Sequence, residues 1–274
     1  MKITDINELE KIAKNVRIGI IESTYNAKSG HPGGSLSIAD VLTVLYFNQM
    51  NVNPKDAKSN LRDRLVLSKG HASAALYAIL AEKGYFNKDE LKTFRKLGSR
   101  LQGHPDMKSL PGVDMTSGSL GQGLSVANGM ALASKMDELG CRIYCILGDG
   151  EIEEGQIWEA AMTASKYNLD NLCVILDSNG LQIDGSVLDV KNLDCLESKW
   201  ESFGFEVIPV DGHNIEAIIN GFDKARQTKG KPSIIIAKTI KGKGVSFMEN
   251  KASWHGKAPN EEEYNIAIKE LDEN

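Results

Sequence analysis

The stretch from Gly148 to Gly185, GDGEIEEGQIWEAAMTASKYNLDNLCVILDSNGLQIDG, limits the possible folds of this chain more than any other. An apolar run at 142–147 feeds Gly148-Asp149-Gly150, and helical patterning follows over 153–167. A second apolar run, 172–176, delivers Asp177-Ser178-Asn179. Asp149 and Asn179 therefore each stand just past the C-terminal end of a predicted parallel strand. That edge is where open α/β sheets bind ligands.

The two side chains differ in a useful way. Asp149 offers a hard carboxylate oxygen, Asn179 a neutral amide oxygen, and the backbone carbonyl of Leu181 a third donor. Mg²⁺ takes about six oxygens, only some of them from protein. Gly148 and Gly150 carry no side chain, so a diphosphate can approach the backbone, and the next helix is expected to aim its first amides at that anion. A bare GDG fits an ordinary strand-to-helix turn equally well. The Asn that closes the following strand is what makes the pair specific.

At 274 residues the chain can bury a full α/β core. Its 41% hydrophobic and 25% charged residues are ordinary for a globular domain. A net charge of −5 gives no reason to expect nucleic acid or an anionic membrane as partner. No signal-like N-terminus or membrane-length apolar run is present. The cysteines Cys141, Cys145, Cys173 and Cys195 form no CxxC pair, which points away from zinc and toward a reduced, cytoplasmic setting.

Residues Ile6, Leu9, Ile12, Val16 and Ile20 recur at three- and four-residue steps, predicting an amphipathic first helix within 1–28. It stops at Ser29-Gly30-His31-Pro32-Gly33-Gly34, whose glycines and proline predict a tight exposed loop. Ile38, Val41, Leu42, Leu45 and Tyr46 give a second helix its buried face. Arg64 to Leu67 reads as a strand and 72–80 as a helix, so His71 lies at another strand-to-helix junction. A charged helix is expected over 87–97. His104 then stands in a second Gly/Pro-framed loop, Gln102-Gly103-His104-Pro105. Gly118-Ser119-Leu120-Gly121 opens a helix running to about residue 139. Its Ala127, Gly129, Ala131 and Ala133 suit close packing, against the sheet or against another subunit. Strands are expected at 205–210 and 233–237. Asn214 is a candidate cap for the helix between them, and His213 reads as a structural turn residue. Lys241 sits among glycines past the last strand, and His255 in Ser253-Trp254-His255-Gly256-Lys257.

Gly148-Asp149-Gly150 followed by Asn179 resembles the signature of thiamine-diphosphate enzymes. The flanking words EGQIWEAAM and NGLQIDG, with SGHPGG, SKGHA and SWHGK elsewhere, are similar to transketolases. The resemblance spans Ser29 to Lys257. It implies an α/β fold, a parallel sheet flanked by helices that binds the cofactor diphosphate, with 1–274 forming one N-terminal transketolase domain. It implies Mg²⁺, replaceable by Ca²⁺ or Mn²⁺, held by Asp149, Asn179 and the Leu181 carbonyl. It assigns His71, Gly118, Leu120, Gly148, Gly150, Glu154, Ile183 and Lys241 to the cofactor, and His31, His104 and His255 to the substrate.

The resemblance also implies a second chain. In the family, the glutamate that activates the cofactor comes from a pyrimidine-binding domain, and the arginines that grip a sugar phosphate lie beyond it. The expectation is a partner chain carrying those domains, in an α2β2 heterotetramer, acting on sugar phosphates by moving a ketol unit from a ketose to an aldose. The rivals are a 2-oxoacid dehydrogenase α-like or deoxyxylulose-phosphate synthase-like subunit, or a non-catalytic cofactor-binding subunit. A dinucleotide oxidoreductase is disfavoured because no GxGxxG follows the first strand.

Overall fold

The computed structural model describes residues 2–273. The first helix, α1 (Ile6–Ala27), starts where the Asp5 carboxylate accepts the amides of Asn7 and Glu8, at 2.8 and 3.4 Å. Leu9, Ala13, Val16 and Ile20 give it a fully buried face. It ends at Lys28 in the left-handed region. Two short helices follow, α2 (Pro32–Leu36) and α3 (Ala39–Val44). After β1 (Arg64–Leu67) come α4 (Ser73–Lys83) and α5 (Gly123–Met136). The central unit is β2 (Ile143–Gly148), α6 (Gly155–Lys166) and β3 (Leu172–Ser178). A two-stranded ribbon, β4 (Leu181–Gln182) and β5 (Gly185–Ser186), leads to α7 (Val187–Val190) and α8 (Leu196–Ser202). The chain then runs β6 (Glu206–Asp211), α9 (Ile215–Gln227), β7 (Ser233–Lys238) and α10 (Glu261–Glu273).

Among the described residues the main sheet has five strands in the order β1-β2-β3-β7-β6, and every pairing is parallel. Alternation along the strands serves two cores. Tyr144, Ile146, Cys173, Ile175 and Ile235 face the layer that includes α1, α3, α4 and α9. Cys145, Leu147, Val174, Leu176 and Ile234 face α5 and α6. Helices on both faces of a parallel sheet explain why its strands read as unbroken apolar runs. Gly148 is in register with Asp177, and Asp177 with Ala237, so the tips of β2, β3 and β7 lie side by side.

Several local readings are corrected. Residues 29–34 are not an exposed loop, because Pro32–Leu36 forms a buried helical turn with proline at its start. The charged helix at 87–97 is only a 3₁₀ turn, Lys88–Thr93, which ends because Phe94 is extended and Arg95 left-handed at φ 59°. On α5, Ala127 and Ala131 pack toward the sheet, whereas Gly129 and Ala133 are exposed. No described helix is long and apolar enough to cross a membrane.

Candidate active site

The C-terminal edge of the sheet bears a cavity of about 270 Å³, into which the tips of β1, β2 and β3 and the segment after β7 converge. A larger groove of about 1240 Å³ lies alongside, lined by residues of α8, β6 and β7. The smaller cavity is where acidic, basic and imidazole groups meet.

Its acidic end is built on β2 and β3. Asp149 accepts the amides of Gly150 at 3.0 Å and Gly180 at 2.5 Å. Burial first, and then the carboxylate of Asp177, raise its pKa to about 6. Asn179 donates from Nδ2 to Asp177 at 2.9 Å, which turns Oδ1 the other way, where it accepts from Leu181 N at 3.2 Å. The Leu181 carbonyl accepts from Lys241 Nζ at 3.3 Å. A carboxylate has about four lone-pair sites and an amide or peptide oxygen two. Each of these three oxygens therefore keeps acceptor capacity. One carboxylate and two neutral oxygens suit a hard divalent cation completed by water and phosphate.

Beneath this end Asp177 is wholly buried and takes four donors: Lys69 Nζ at 2.5 Å, Ser37 Oγ at 2.7 Å, the Thr239 hydroxyl and Asn179 Nδ2. Burial works against its charge, yet Lys69 and the hydroxyls outweigh it and hold the carboxyl below its usual range. Lys69 Nζ also donates to the Gly34 carbonyl at 2.7 Å, tying α2 to the sheet. Glu151 is a second buried clamp. It accepts from Ser68 Oγ and from the amides of Gly121 and Gly148, both at 3.0 Å, so it joins the tips of β1 and β2 to the turn before α5.

The other end is made of imidazoles. His31, His71, His104 and His255 arrive from four separate segments. The ring of His31 lies 5.2, 6.5 and 5.4 Å from those of His71, His104 and His255, and His71 is 4.9 Å from His255. Burial, then Arg95, holds His31 down at about 4, and burial, then Lys241, holds His255 at about 3. Burial and Lys69 push His71 down as well. These rings are neutral near pH 7. Lys241 Nζ is 3.0 Å from His255 Nδ1, and its own pKa is lowered to about 8 by burial and by Lys69. His213 stays outside, as expected. It bonds Asp40 through Nδ1 at 2.7 Å and accepts Ile240 N through Nε2 at 2.8 Å, which anchors the turn before Lys241.

The structure brings together His31, His71, Gly118, Leu120, Gly148, Asp149, Gly150, Asn179, Leu181, Ile183, Lys241 and His255 around the cavity. Leu120 and Ile183 are partly exposed apolar side chains at its mouth, at 36% and 68%. His104 stands outside the lining and is exposed, with its ring 3.6 Å from where a Gly118 Cβ would sit. Glu154 is neither a lining residue nor buried. It is the exposed residue that precedes α6 and lies against Gly121. A 3₁₀ turn, Gly150–Glu153, separates the strand tip from α6, so the helix does not open directly onto the carboxylate. Gly150 also lies against Gln182: a Cβ there would meet Oε1 at 2.8 Å, so Gln182 would have to shift. Asp177, Glu151 and Gln182 were not singled out from sequence. Asp177 ends an apolar strand with a charge, and that was the available signal.

The model of the transketolase thiamine diphosphate binding domain matches residues 9–272. The chain belongs to the transketolase family. It is 48% identical over 265 residues to the 6-deoxy-6-sulfo-D-fructose transketolase subunit SqwG of Clostridium sp. (strain MSTE9), covering 97% of this chain and 96% of that one. It is 44% identical over 268 residues to an apulose-4-phosphate transketolase subunit of Phocaeicola vulgatus, covering 98% and 95%. Among solved structures, transketolase from Campylobacter jejuni superposes with a TM-score of 0.92 at 36% identity. That match covers 98% of this chain but 43% of the solved chain. The fold read from the sequence, a parallel sheet flanked by helices, is thus the transketolase N-terminal fold. The reading as the N-terminal part of a ketol-transferring enzyme is likewise borne out.

Proposed function

We propose that the chain is the N-terminal subunit of a two-chain transketolase that moves a ketol unit from a ketose phosphate to an aldose. The observation that carries this is the convergence of two donor sets on one cavity: the Asp149, Asn179 and Leu181 oxygens at one end and the imidazoles at the other. Asp149, Asn179 and the Leu181 carbonyl would hold Mg²⁺, with Ca²⁺ or Mn²⁺ able to replace it. His71 and Lys241 would hold a diphosphate beside it. Gly118, Leu120 and Ile183 offer a backbone and apolar surface for a flat heterocycle at the mouth. Thiamine diphosphate, when bound, supplies the carbanion chemistry that breaks and remakes the carbon–carbon bond. His31 and His255 hold the proton at the ketose C3 hydroxyl, and His104 binds the sugar's hydroxyls. Glu154 serves a contact with a neighbouring subunit near the cofactor. The relatives covered over nearly their whole length are named as subunits. That supports a partner chain. The proposal gives that partner the pyrimidine-binding and C-terminal domains, joins the two in an α2β2 assembly in the cytoplasm, and takes sugar phosphates as the substrates.

The test is to mix the chain with its candidate partner, thiamine diphosphate and Mg²⁺ and follow ketol transfer across a set of donors and acceptors. Activity only in the complete mixture is expected. Full activity from this chain alone contradicts the two-chain reading, and activity that survives Asp149→Ala makes the chain a non-catalytic scaffold.

A further inference from the structure

Arg95 belongs to no motif, yet it joins two of the loops that hold histidines. Its backbone is left-handed, with φ 59°, and its N–H donates to the Leu101 carbonyl at 2.9 Å. That fold-back sends the guanidinium between the segment carrying His31 and the segment carrying His104. Nη1 donates to Ser29 Oγ at 3.0 Å, and Nη2 donates to the Gly103 carbonyl at 3.3 Å. Gly103 eases this approach, since a Cβ there would lie 3.2 Å from Arg95 Cζ and Nε and the guanidinium would have to give way. Nη2 also lies 3.3 Å from His31 Nδ1.

A guanidinium has donors and no acceptor, and it does not lose its proton in proteins. His31 Nδ1 must therefore present its lone pair. A neutral imidazole whose Nδ1 accepts carries its hydrogen on Nε2. The charged groups and rings around His31 are Arg95, His104, Lys241, His71 and His255, and no carboxylate is hydrogen-bonded to it among the described residues. A second ring proton would place an N–H against the guanidinium. No hydrogen bond to Nε2 is found among the described residues, and Gly256 brings no Cβ to it, where one would lie 3.6 Å away.

We propose that Arg95 is a positioning residue that locks His31 in the Nε2–H tautomer, so that His31 meets its ligand as a hydrogen-bond donor and not as a base. The ligand atom is a hydroxyl, carbonyl or alkoxide oxygen. Its assignment to a ketose rests on the function proposed above, whereas the tautomer does not. The arrangement favours an oxygen that gains negative charge during the reaction, because the donor is fixed before the substrate arrives.

The test labels the histidines of the full chain with ¹⁵N and reads His31 by long-range proton–nitrogen correlation near neutral pH, using His31→Gln for assignment. The expected result is a neutral ring with hydrogen on Nε2 and a bare Nδ1. Hydrogen on Nδ1, or a doubly protonated ring, overturns the proposal without any arginine variant having to fold. Arg95→Met should give a tautomer mixture and, in the two-chain enzyme, a roughly tenfold lower kcat/KM for the ketose donor. Arg95→Lys, which keeps a donor-only cation, should restore part of both. Lost activity with an unchanged tautomer also overturns the proposal. The expected tautomer together with no ketol transfer by the wild-type mixture would sink the functional reading alone and leave the role of Arg95 supported.

Discussion

The two ends of the cavity are held in opposite ways. At the acidic end the side chains sit on strand tips, and backbone amides, hydroxyls and, for Asp177, the Lys69 ammonium surround the carboxylates. At the imidazole end the rings come from four separate segments, and the polar contacts found for the rings of His31 and His255 are with cations, Arg95 and Lys241. The first end is fixed by the sheet and suits a group that stays bound. The second is set by short polar contacts between loops, where a ligand that enters and leaves can be read. On the function proposed above, the difference teaches that anchoring and turnover are divided along one cavity.

The largest expected effect is at the acidic end. Asp149→Ala removes the one carboxylate of the donor set, and metal-dependent cofactor affinity should fall by more than about a hundredfold in the assembled enzyme. Preserved affinity would erase the contrast between the ends. Asp177→Asn probes the support below. It leaves Lys69 buried without its anion, so denaturant unfolding should show a loss of about 3–5 kcal/mol. A loss under about 1 kcal/mol would mean that the buried pair does not hold this end together.

The imidazole end should announce itself through pH. His31 titrates near 4 in the folded chain and near the ordinary 6.5 when unfolded. As pH falls from 6.5 toward 4 the unfolded state takes up the proton first, so stability present above 6.5 is progressively lost. His31→Gln should flatten the stability profile in that window. An unchanged slope would show that the ring is not held neutral. The smallest effect lies away from both ends: Asn214 caps α9 by accepting Ala217 N at 2.9 Å, and Asn214→Ala should cost about 1 kcal/mol while leaving cofactor binding intact.

The acidic end was legible because its signals are local. An apolar run followed by Gly-Asp-Gly marks a strand tip, and one βα unit later an Asn marks the next. Helix α1 and the strands of the sheet followed from periodicity and β-branched runs for the same reason. The convergence of the histidines was legible only through resemblance, since nothing in a Gly-framed loop states which other loop it will meet. Long-range contacts decided what was missed. Pro32–Leu36 became a buried turn because Lys69 reaches the Gly34 carbonyl from the turn after β1. Residues 87–97 lost their helix once Arg95 turned back toward Ser29 and Gly103. Glu151, one of three glutamates in a short run, was drawn inward by two backbone amides and Ser68, while Glu154 was left exposed. Charge patterning alone does not separate those two.

The central claim is that the tips of β2 and β3 hold a cation, and through it the diphosphate of the cofactor. Its most direct test is a calorimetric titration of thiamine diphosphate into the complex of this chain with its partner, with Mg²⁺ and then with chelator. Saturable uptake that requires the metal and disappears in Asp149→Ala is the predicted result. Uptake of equal affinity with and without the metal would contradict it.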